Sequence, residues 1–170
     1  SHVVGATRYC DRPDAARAIP RVGGILDVSV EAVLSLRPDV VIGSPAVLGG
    51  RLATLLEGSG TTLVPLRFET ARDLEDGILA IGEALDRAAP ANALVAALRR
   101  DLAALAGRAR RDPPIRALFI VGRTPLVVAA PSSFLGDLLD RMGVANVVDA
   151  RRVAFPTWSL EQVLQANPDV

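Results

Sequence analysis

The chain has 170 residues and as many basic as acidic side chains, 19 of each, so its formal net charge is zero. A neutral chain has no overall positive field for nucleic acid or an anionic membrane surface. One His and one Cys are too few for a His-rich or Cys-rich metal site, or for a disulfide within the chain. With 50% apolar residues the chain is predicted to form one domain or two small lobes. No apolar run reaches the roughly 20 residues of a membrane span.

Short apolar runs alternate along the chain with amphipathic stretches. The runs are typical of strands covered on both faces of a parallel sheet, and they lie at residues 3–5, 39–43, 62–66 and 116–122. Helical spacing of apolar side chains, or a cap followed by a stop signal, predicts helices over residues 29–36, 52–56, 74–85 and 132–142. Strands that alternate with helices indicate an α/β fold with mainly parallel sheets.

One helical segment is longer than the others. Residues 90–111 are strong helix formers with a stripe of Leu and Val side chains, and Pro113 and Pro114 end the pattern. A helix of about 20 residues spans about 30 Å, the width of a small domain. The segment is either a long surface helix of one domain or a helix that connects two α/β lobes, the second of which begins after the two prolines.

A twelve-residue pattern occurs twice in the chain. Residues 29–40 and 159–170 share a Ser, a Glu, a Val-Leu pair and a Pro-Asp-Val ending. Each copy predicts a Ser-capped short helix that ends near a Pro and leads into a buried strand. The interval between the copies is too long for a solenoid and favours two lobes that carry the same element.

Glu31 and Glu161 occupy the first turn of the two repeated helices. A single carboxylate at this position complements the helix dipole, which is worth about 0.3–1 kcal/mol. Two equivalent carboxylates on equivalent lobes are also suited to a partner that carries symmetric basic residues. The residues alone leave both interpretations open.

An enzyme is the competing class of function. The glycines of Val22-Gly23-Gly24-Ile25 lack the spacing of a phosphate-binding loop, and no Gly-x-Ser-x-Gly sequence occurs. His2 lies near the start of the chain, where it is a poor general base, and the Asp137 and Asp140 pair is ordinary helix-surface chemistry. The sequence therefore favours a binding protein that is not an enzyme.

Three segments resemble one family of binding proteins. Residues 3–13 (VVGATRYCDRP) and 18–24 (AIPRVGG), together with the first copy of the repeat, are similar to the first lobe of cobalamin-binding substrate-binding proteins of bacterial ABC importers. Residues 152–164 (RVAFPTWSLEQVL) are similar to the matching segment of the second lobe. Proteins of this superfamily, the helical-backbone metal receptors, also bind haem, ferric siderophores or metal ions.

The resemblance implies two Rossmann-like α/β lobes, residues 1–89 and 113–170, joined by a rigid helix over residues 90–112. It implies a ligand held between the lobes, no intrinsic cofactor, and an ABC transporter permease dimer onto whose Arg residues Glu31 and Glu161 dock. It also implies a periplasmic or other extracytoplasmic location, with lipid anchoring left open. Members of the family extend beyond both ends of this segment, so the second lobe is expected to be truncated, a naturally shortened chain being the alternative.

The ligand is expected at the loops that follow the predicted strands, at residues 6–12, 44–50, 67–70 and 123–126, and at a further loop, residues 151–158, before the second repeated helix. By resemblance, Tyr9 and Phe155 are the aromatic residues that contact the ligand from the two lobes, and Ile25 stands where cobalamin binders can have a Trp. Trp158 is expected to be partly structural. The candidate ligand-binding residues are Arg8, Tyr9, Arg12, Ile25, Phe68, Arg123 and Phe155.

The ligand stays open among three kinds of metal chelate. The resemblance favours a cobalamin-type corrinoid, although Ile at position 25, where cobalamin binders can have a Trp, removes one aromatic wall of the expected site. A Tyr phenolate can ligate haem iron, and Tyr9 is the candidate for that role. Arg side chains in the predicted loops suit an anionic ferric siderophore. The single His argues against the divalent-metal members of the superfamily.

Overall fold

The computed structural model describes residues 2–25, 27–109, 111–150 and 152–170. These residues form two compact units. Unit 1 comprises Ser1–Arg67 and Leu79–Ala91, and unit 2 comprises Phe68–Ile78 and Asn92–Val170. Each unit has its own buried apolar cluster, and each is described in turn below.

Unit 1 contains a parallel pair of strands and several short helices. Its elements are a 3-10 helix (Asp14–Ala18), α1 (Val30–Ser35), β1 (Val40–Gly43), α2 (Pro45–Leu48), α3 (Arg51–Leu56) and β2 (Thr62–Pro65). β1 and β2 pair in parallel, with Val40 opposite Thr62. Each α-helix contributes apolar side chains to one core, whose buried members are Val33, Leu48, Leu52 and Leu56.

Two longer helices follow, α4 (Ala71–Ala84) and α5 (Ala88–Ala109), and the residues of each are divided between the units. α5 has 22 residues, so its length is about 33 Å. In unit 1 the helices meet at Gly82, where a Cβ would lie 2.3 Å from the Cβ of Ala91. In unit 2 the buried carboxylate of Glu75 accepts hydrogen bonds from Nε and Nη2 of Arg99 at 2.9 and 2.8 Å. These bonds raise the pKa of the Arg99 guanidinium above its ordinary value.

Unit 2 combines one parallel and one antiparallel pair of strands with two helices. Its further elements are β3 (Arg116–Ala117), β4 (Ile120–Arg123), β5 (Leu126–Val128), α6 (Phe134–Arg141), β6 (Ala145–Asn146) and α7 (Leu160–Ala166). β3 pairs in parallel with β6, and β4 pairs antiparallel with β5. The core consists of Val128, Ala130 and Val148, and Trp158 packs against it, in agreement with its expected structural role.

The strand predictions are correct at residues 39–43 and 62–66, correct in part at residues 116–122, and wrong at residues 3–5. In the described part of the chain, residues 3–5 form no strand, and the adjacent Ala6 makes a single parallel bridge to Arg21. The run over residues 116–122 is divided between β3 and β4, because residues 116–117 pair with β6 and residues 120–123 pair with β5. An apolar run does not specify which neighbour each residue pairs with.

The helix predictions are correct in position and differ at the ends. The prediction over residues 90–111 corresponds to α5, and Arg110 lies outside the described residues. The predicted loop 44–50 contains α2, because Pro45 suits the first turn of a helix. Two of the three strand pairs described are parallel, which confirms the α/β class with mainly parallel sheets. Within the described ranges, none of the helices has both the length and the apolar content of a membrane span.

Candidate ligand-binding site

Tyr9 lies on a tight turn of unit 1. The amide of Cys10 donates to the Thr7 carbonyl at 3.1 Å, which closes a four-residue turn with Tyr9 at its third position. The amide of Arg8 donates to the carbonyl of Gly23 at 2.8 Å, so the turn is attached to a second loop. The side chain of Tyr9 is 62% exposed. An exposed aromatic ring on an ordered turn is well suited to contact a bulky ligand.

The two arginines of this loop have different surroundings. Arg8 forms an ion pair with Asp27, so its charge is balanced within unit 1. Arg12 is exposed, and the described residues give it no acidic partner. An anionic group that binds near this loop could therefore pair with Arg12 without competition, whereas at Arg8 it would compete with Asp27.

Ile25 lines an open pocket of about 250 Å³ in unit 1. Most of the pocket wall is apolar, from Val28 and Val30 on one side and Val47 and Leu52 on the other. The loop that carries Ile25 begins at Gly23, which has a φ of +112° and bridges to Val28. A left-handed φ of this kind favours glycine.

Phe155 lies on an extended segment of unit 2 that runs antiparallel to β5. Backbone hydrogen bonds of 2.9–3.1 Å join the two, from Val128 to Pro156, from Ala130 to Ala154 and from Trp158 to Leu126. The side chain of Phe155 is 47% exposed, whereas Trp158 packs against the core. The segment therefore places one aromatic residue in solvent and one in the core. Arg151, the first residue of the predicted loop 151–158, lies outside the described residues.

Arg123 and Phe68 occupy other parts of unit 2. Arg123 is the last residue of β4 and pairs with Leu126 at the start of β5, whereas Phe155 lies beside the end of β5. The expectation that Arg123 follows a parallel strand is wrong, because the hairpin makes β4 antiparallel. Arg123 and Phe155 therefore lie near opposite ends of β5. Phe68 lies between β2 and α4 and is 59% exposed.

Glu31 and Glu161 occupy the same position on two equivalent helices, one in each unit. The Ser before each helix caps it, and its Oγ accepts a hydrogen bond from the third helical amide at 3.2 Å for Ser29 and 3.3 Å for Ser159. Both Glu residues stand second in their helices and are exposed. The carboxylate of Glu161 also accepts a hydrogen bond from Ser159 Oγ at 2.9 Å.

The equivalence extends to the residues that end the two helices. Arg37 and Asn167 occupy matching positions of the repeat, and both have a left-handed backbone, with φ of 46° and 44°. A proline follows each of them. The helix and the turn of the repeated pattern are thus present in both units. The strand predicted after them is β1 in unit 1, whereas residues 169–170 of unit 2 form no strand and Val170 is exposed.

Two residues that hold the Tyr9 turn were not among the sequence-based candidates. Nη1 of Arg21 donates to the carbonyls of Thr7 and Cys10, both at 2.9 Å. Asp27 accepts the hydrogen bond from Arg8. Both lie close to the Gly23-Gly24 pair in sequence, and charged residues on either side of a glycine turn are the only signal that could have identified them. In the described part of the chain, no three His, Cys, Asp or Glu side chains are grouped to hold a metal ion.

Comparison with known proteins identifies the family. Residues 2–170 match the family described as periplasmic binding protein. The chain belongs to that family. It is 25% identical over 168 residues to the vitamin B12-binding protein of Vibrio cholerae serotype O1, and the match covers 99% of this chain and 61% of that protein. The chain therefore spans about three fifths of the length of such relatives.

Two solved structures extend the comparison to the fold. The periplasmic vitamin B12 binding protein BtuF of Vibrio cholerae superposes with a TM-score of 0.75 at 25% identity, over 97% of this chain and 65% of that one. The periplasmic haem-binding protein RhuT from Roseiflexus sp. RS-1 superposes with a TM-score of 0.76 at 26% identity, over 98% of this chain and 66% of that one.

These matches confirm the resemblance to substrate-binding proteins and the α/β fold of periplasmic binding proteins. The relatives are named as binding proteins, and the names do not agree on one ligand, since one set is named for vitamin B12 and the other for haem. The identities to the two sets, 25% and 26%, are nearly equal. Family membership therefore supports ligand binding and leaves the choice of ligand to the residues of the site.

Proposed function

We propose that this chain is part of an extracytoplasmic substrate-binding protein that captures a cobalamin-type corrinoid and delivers it to the permease of an ABC importer. The observation that carries the proposal is the exposed Tyr9 side chain on its hydrogen-bonded turn, in a chain that belongs to the periplasmic binding protein family. The relatives named for vitamin B12 support this ligand. In this proposal the chain binds and releases its ligand without catalysing a reaction.

The proposed ligand contacts are divided between two proposed lobes, residues 1–89 and 113–170, with the helix at 90–112 between them in sequence. Tyr9 and Phe155 provide exposed aromatic surface, which binds a large ligand with little loss of side-chain entropy. The apolar pocket beside Ile25 accepts part of the ligand body. Polar groups of the ligand are bound by arginines, of which Arg12 has no acidic partner among the described residues. Arg8, Phe68 and Arg123 complete the proposed set.

Haem or a ferric siderophore is the second candidate for the same site. Ile25 in place of an aromatic residue removes a flat wall that would favour a corrinoid, and the exposed Tyr9 phenol is available to ligate haem iron. The relatives named for haem binding give this candidate the same level of support from sequence identity.

A visible absorption titration with cyanocobalamin, haemin and a ferric siderophore tests the proposal. We expect micromolar or tighter binding of cyanocobalamin that Tyr9→Ala weakens about 30-fold, which corresponds to about 2 kcal/mol. Phe119→Ala is the matched control, because Phe119 is another exposed aromatic residue and is not among the proposed ligand contacts. Tight binding of haemin or the siderophore instead would select the second candidate. No spectral change with any of the three would overturn both.

We also propose that Glu31 and Glu161 dock onto Arg residues of the permease dimer. Their support is the matching position, cap and exposure on the two repeated helices. Reversing both charges, in Glu31→Arg with Glu161→Arg, is expected to abolish ligand transport in vesicles that contain the permease while ligand affinity stays unchanged. Glu83→Arg, at an exposed position of α4, is the control. Full transport by the double variant would show that the two carboxylates act only on their own helices.

A further inference from the structure

We infer that Arg21 is a positioning residue for Tyr9, and that it sets ligand affinity by fixing the turn that presents the aromatic ring. One guanidinium nitrogen, Nη1, donates to the carbonyls of Thr7 and Cys10, both at 2.9 Å. These carbonyls belong to the first and last residues of the four-residue turn that contains Tyr9. A single side chain therefore holds both ends of the turn.

The backbone places Arg21 where it can act in this way. Ala6 pairs with Arg21 in a parallel bridge, with the Ala6 amide donating to the Pro20 carbonyl and the Val22 amide donating to the Ala6 carbonyl, each at 3.0 Å. The start of the Arg21 side chain is thus fixed beside the residue that precedes the turn. The guanidinium has only to extend along the loop to reach the two carbonyls.

Arg8, the second residue of the turn, is attached to unit 1 separately: its amide donates to the Gly23 carbonyl at 2.8 Å, and its side chain pairs with Asp27. The Thr7 carbonyl also accepts from the Cys10 amide at 3.1 Å, which closes the turn without attaching it to the rest of unit 1. Arg17 reaches the Asp11 carbonyl at 3.4 Å, outside the turn. A hydrogen bond from a charged donor is stronger than one between neutral groups, so the two Arg21 contacts hold the first and last residues of the turn more strongly than the backbone bond that closes it.

The ligand-binding part of this inference rests on the proposed function, because it assigns Tyr9 to ligand contact. The prediction has two measurable parts. In the ligand-free protein, Arg21→Ala frees the turn, and the amide of Cys10 exchanges with solvent faster. In the ligand-bound protein, Arg21→Ala lowers affinity about tenfold when Tyr9 is present, which corresponds to about 1.4 kcal/mol.

The experiment combines hydrogen exchange with a double-mutant cycle on the full chain. Exchange of the 6–12 segment is measured without ligand for the native protein, Arg21→Ala, Arg21→Lys and the control Arg72→Ala, which removes an exposed arginine of α4. Affinity for cyanocobalamin and for haemin is measured for Arg21→Ala, Tyr9→Ala and the double variant. We expect faster exchange only for Arg21→Ala, partial rescue by Arg21→Lys, and no further loss of affinity from Arg21→Ala once Tyr9 is removed.

Two results would overturn the inference. Unchanged exchange in Arg21→Ala would show that the turn does not depend on this side chain. An affinity loss of equal size with and without Tyr9 would show that Arg21 acts on the ligand directly or on the fold as a whole. If the native protein binds neither probe, the proposed function fails, and the exchange measurement still decides whether Arg21 holds the turn.

Discussion

Tyr9 and Phe155 are both exposed aromatic residues, and different interactions hold them in place. Tyr9 lies on a turn whose carbonyls are bound by the Arg21 side chain, whereas Phe155 lies on a segment whose backbone pairs with β5. A side-chain contact is removed by one substitution, while backbone hydrogen bonds persist through most substitutions because every residue carries the same groups. The position of Tyr9 is therefore open to adjustment by point mutation, and the position of Phe155 depends on the packing of unit 2.

Gly136 is the residue whose substitution is expected to disrupt the packing around Phe155 most. It is buried in α6, and a Cβ there would lie 2.1 Å from the carbonyl oxygen of Ala130. The amide of Ala130 bonds to Ala154, the neighbour of Phe155. We expect Gly136→Ala to lower the free energy of unfolding by about 3 kcal/mol, since a buried carbonyl has to move. Chemical denaturation followed by circular dichroism measures the loss.

Gly107→Ala is the matched control for that prediction. Gly107 lies in α5, is exposed, and has no atom within 4 Å of the position of an added Cβ. The same substitution is expected to raise the free energy of unfolding by about 0.5–1 kcal/mol, because Ala favours the helix over Gly. Similar losses in both variants would contradict the argument from the Ala130 carbonyl.

Removing the Phe155 ring is expected to affect binding more than stability. We predict that Phe155→Ala weakens binding of the proposed chelate by about 2 kcal/mol, the loss typical of a central aromatic contact. The change in unfolding free energy is expected to be small, since the ring is half exposed. Isothermal titration calorimetry measures the affinity. Phe119→Ala, at another exposed Phe of unit 2, is the control, and an equal loss there would remove the case for Phe155.

The ion pairs of the two units give a further contrast. In unit 2 the Glu75 carboxylate is buried and bound by Arg99, whereas in unit 1 Arg8 and Asp27 pair in solvent. We expect Arg99→Ala to lower the melting temperature by about 3–6 °C, because the buried Glu75 carboxylate loses its charged partner. Asp27→Asn is expected to change it by less than about 2 °C, since exposed pairs contribute little. Differential scanning calorimetry compares the two.

The smallest predicted effects concern the caps of the repeated helices. Ser29→Ala and Ser159→Ala each remove an acceptor for a helical amide, at a cost of about 1 kcal/mol. The loss at Ser159 is expected to be the larger, because Ser159 Oγ also donates to the Glu161 carboxylate at 2.9 Å and that bond is lost as well. Urea denaturation of the two variants, with Thr substitutions as the rescue, measures the difference. A larger loss at Ser29 would contradict this ranking.

The sequence was sufficient to predict those parts of the fold that depend on local patterns. β1 and β2 follow from short β-branched or apolar runs with prolines nearby, and α5 follows from an unbroken series of helix formers. The repeat was visible because its cap, its Glu and its proline recur in the same order. In each of these cases the residues that determine the element lie within the element.

Other parts of the molecule depend on contacts between distant residues and could not be predicted in the same way. In the sequence, β4 forms the end of one longer apolar run, because the residues of the run do not indicate which strand each of them pairs with. The contact of Arg21 with the Tyr9 turn requires that residues 6 and 21 lie side by side. Tyr9 itself became a candidate through the family resemblance, and its exposure and hydrogen-bonded turn came from the structure.

The left-handed residues Arg37 and Asn167 have a consequence for the history of the chain. Asn adopts a left-handed backbone readily, whereas Arg does so at a cost, so a residue of this type persists only where its surroundings impose the conformation. The two copies of the helix-turn unit therefore have the same left-handed backbone at this position with different side chains. This is the result expected if both copies diverged from one ancestral segment: the backbone conformation was kept, and the amino acid that adopts it changed.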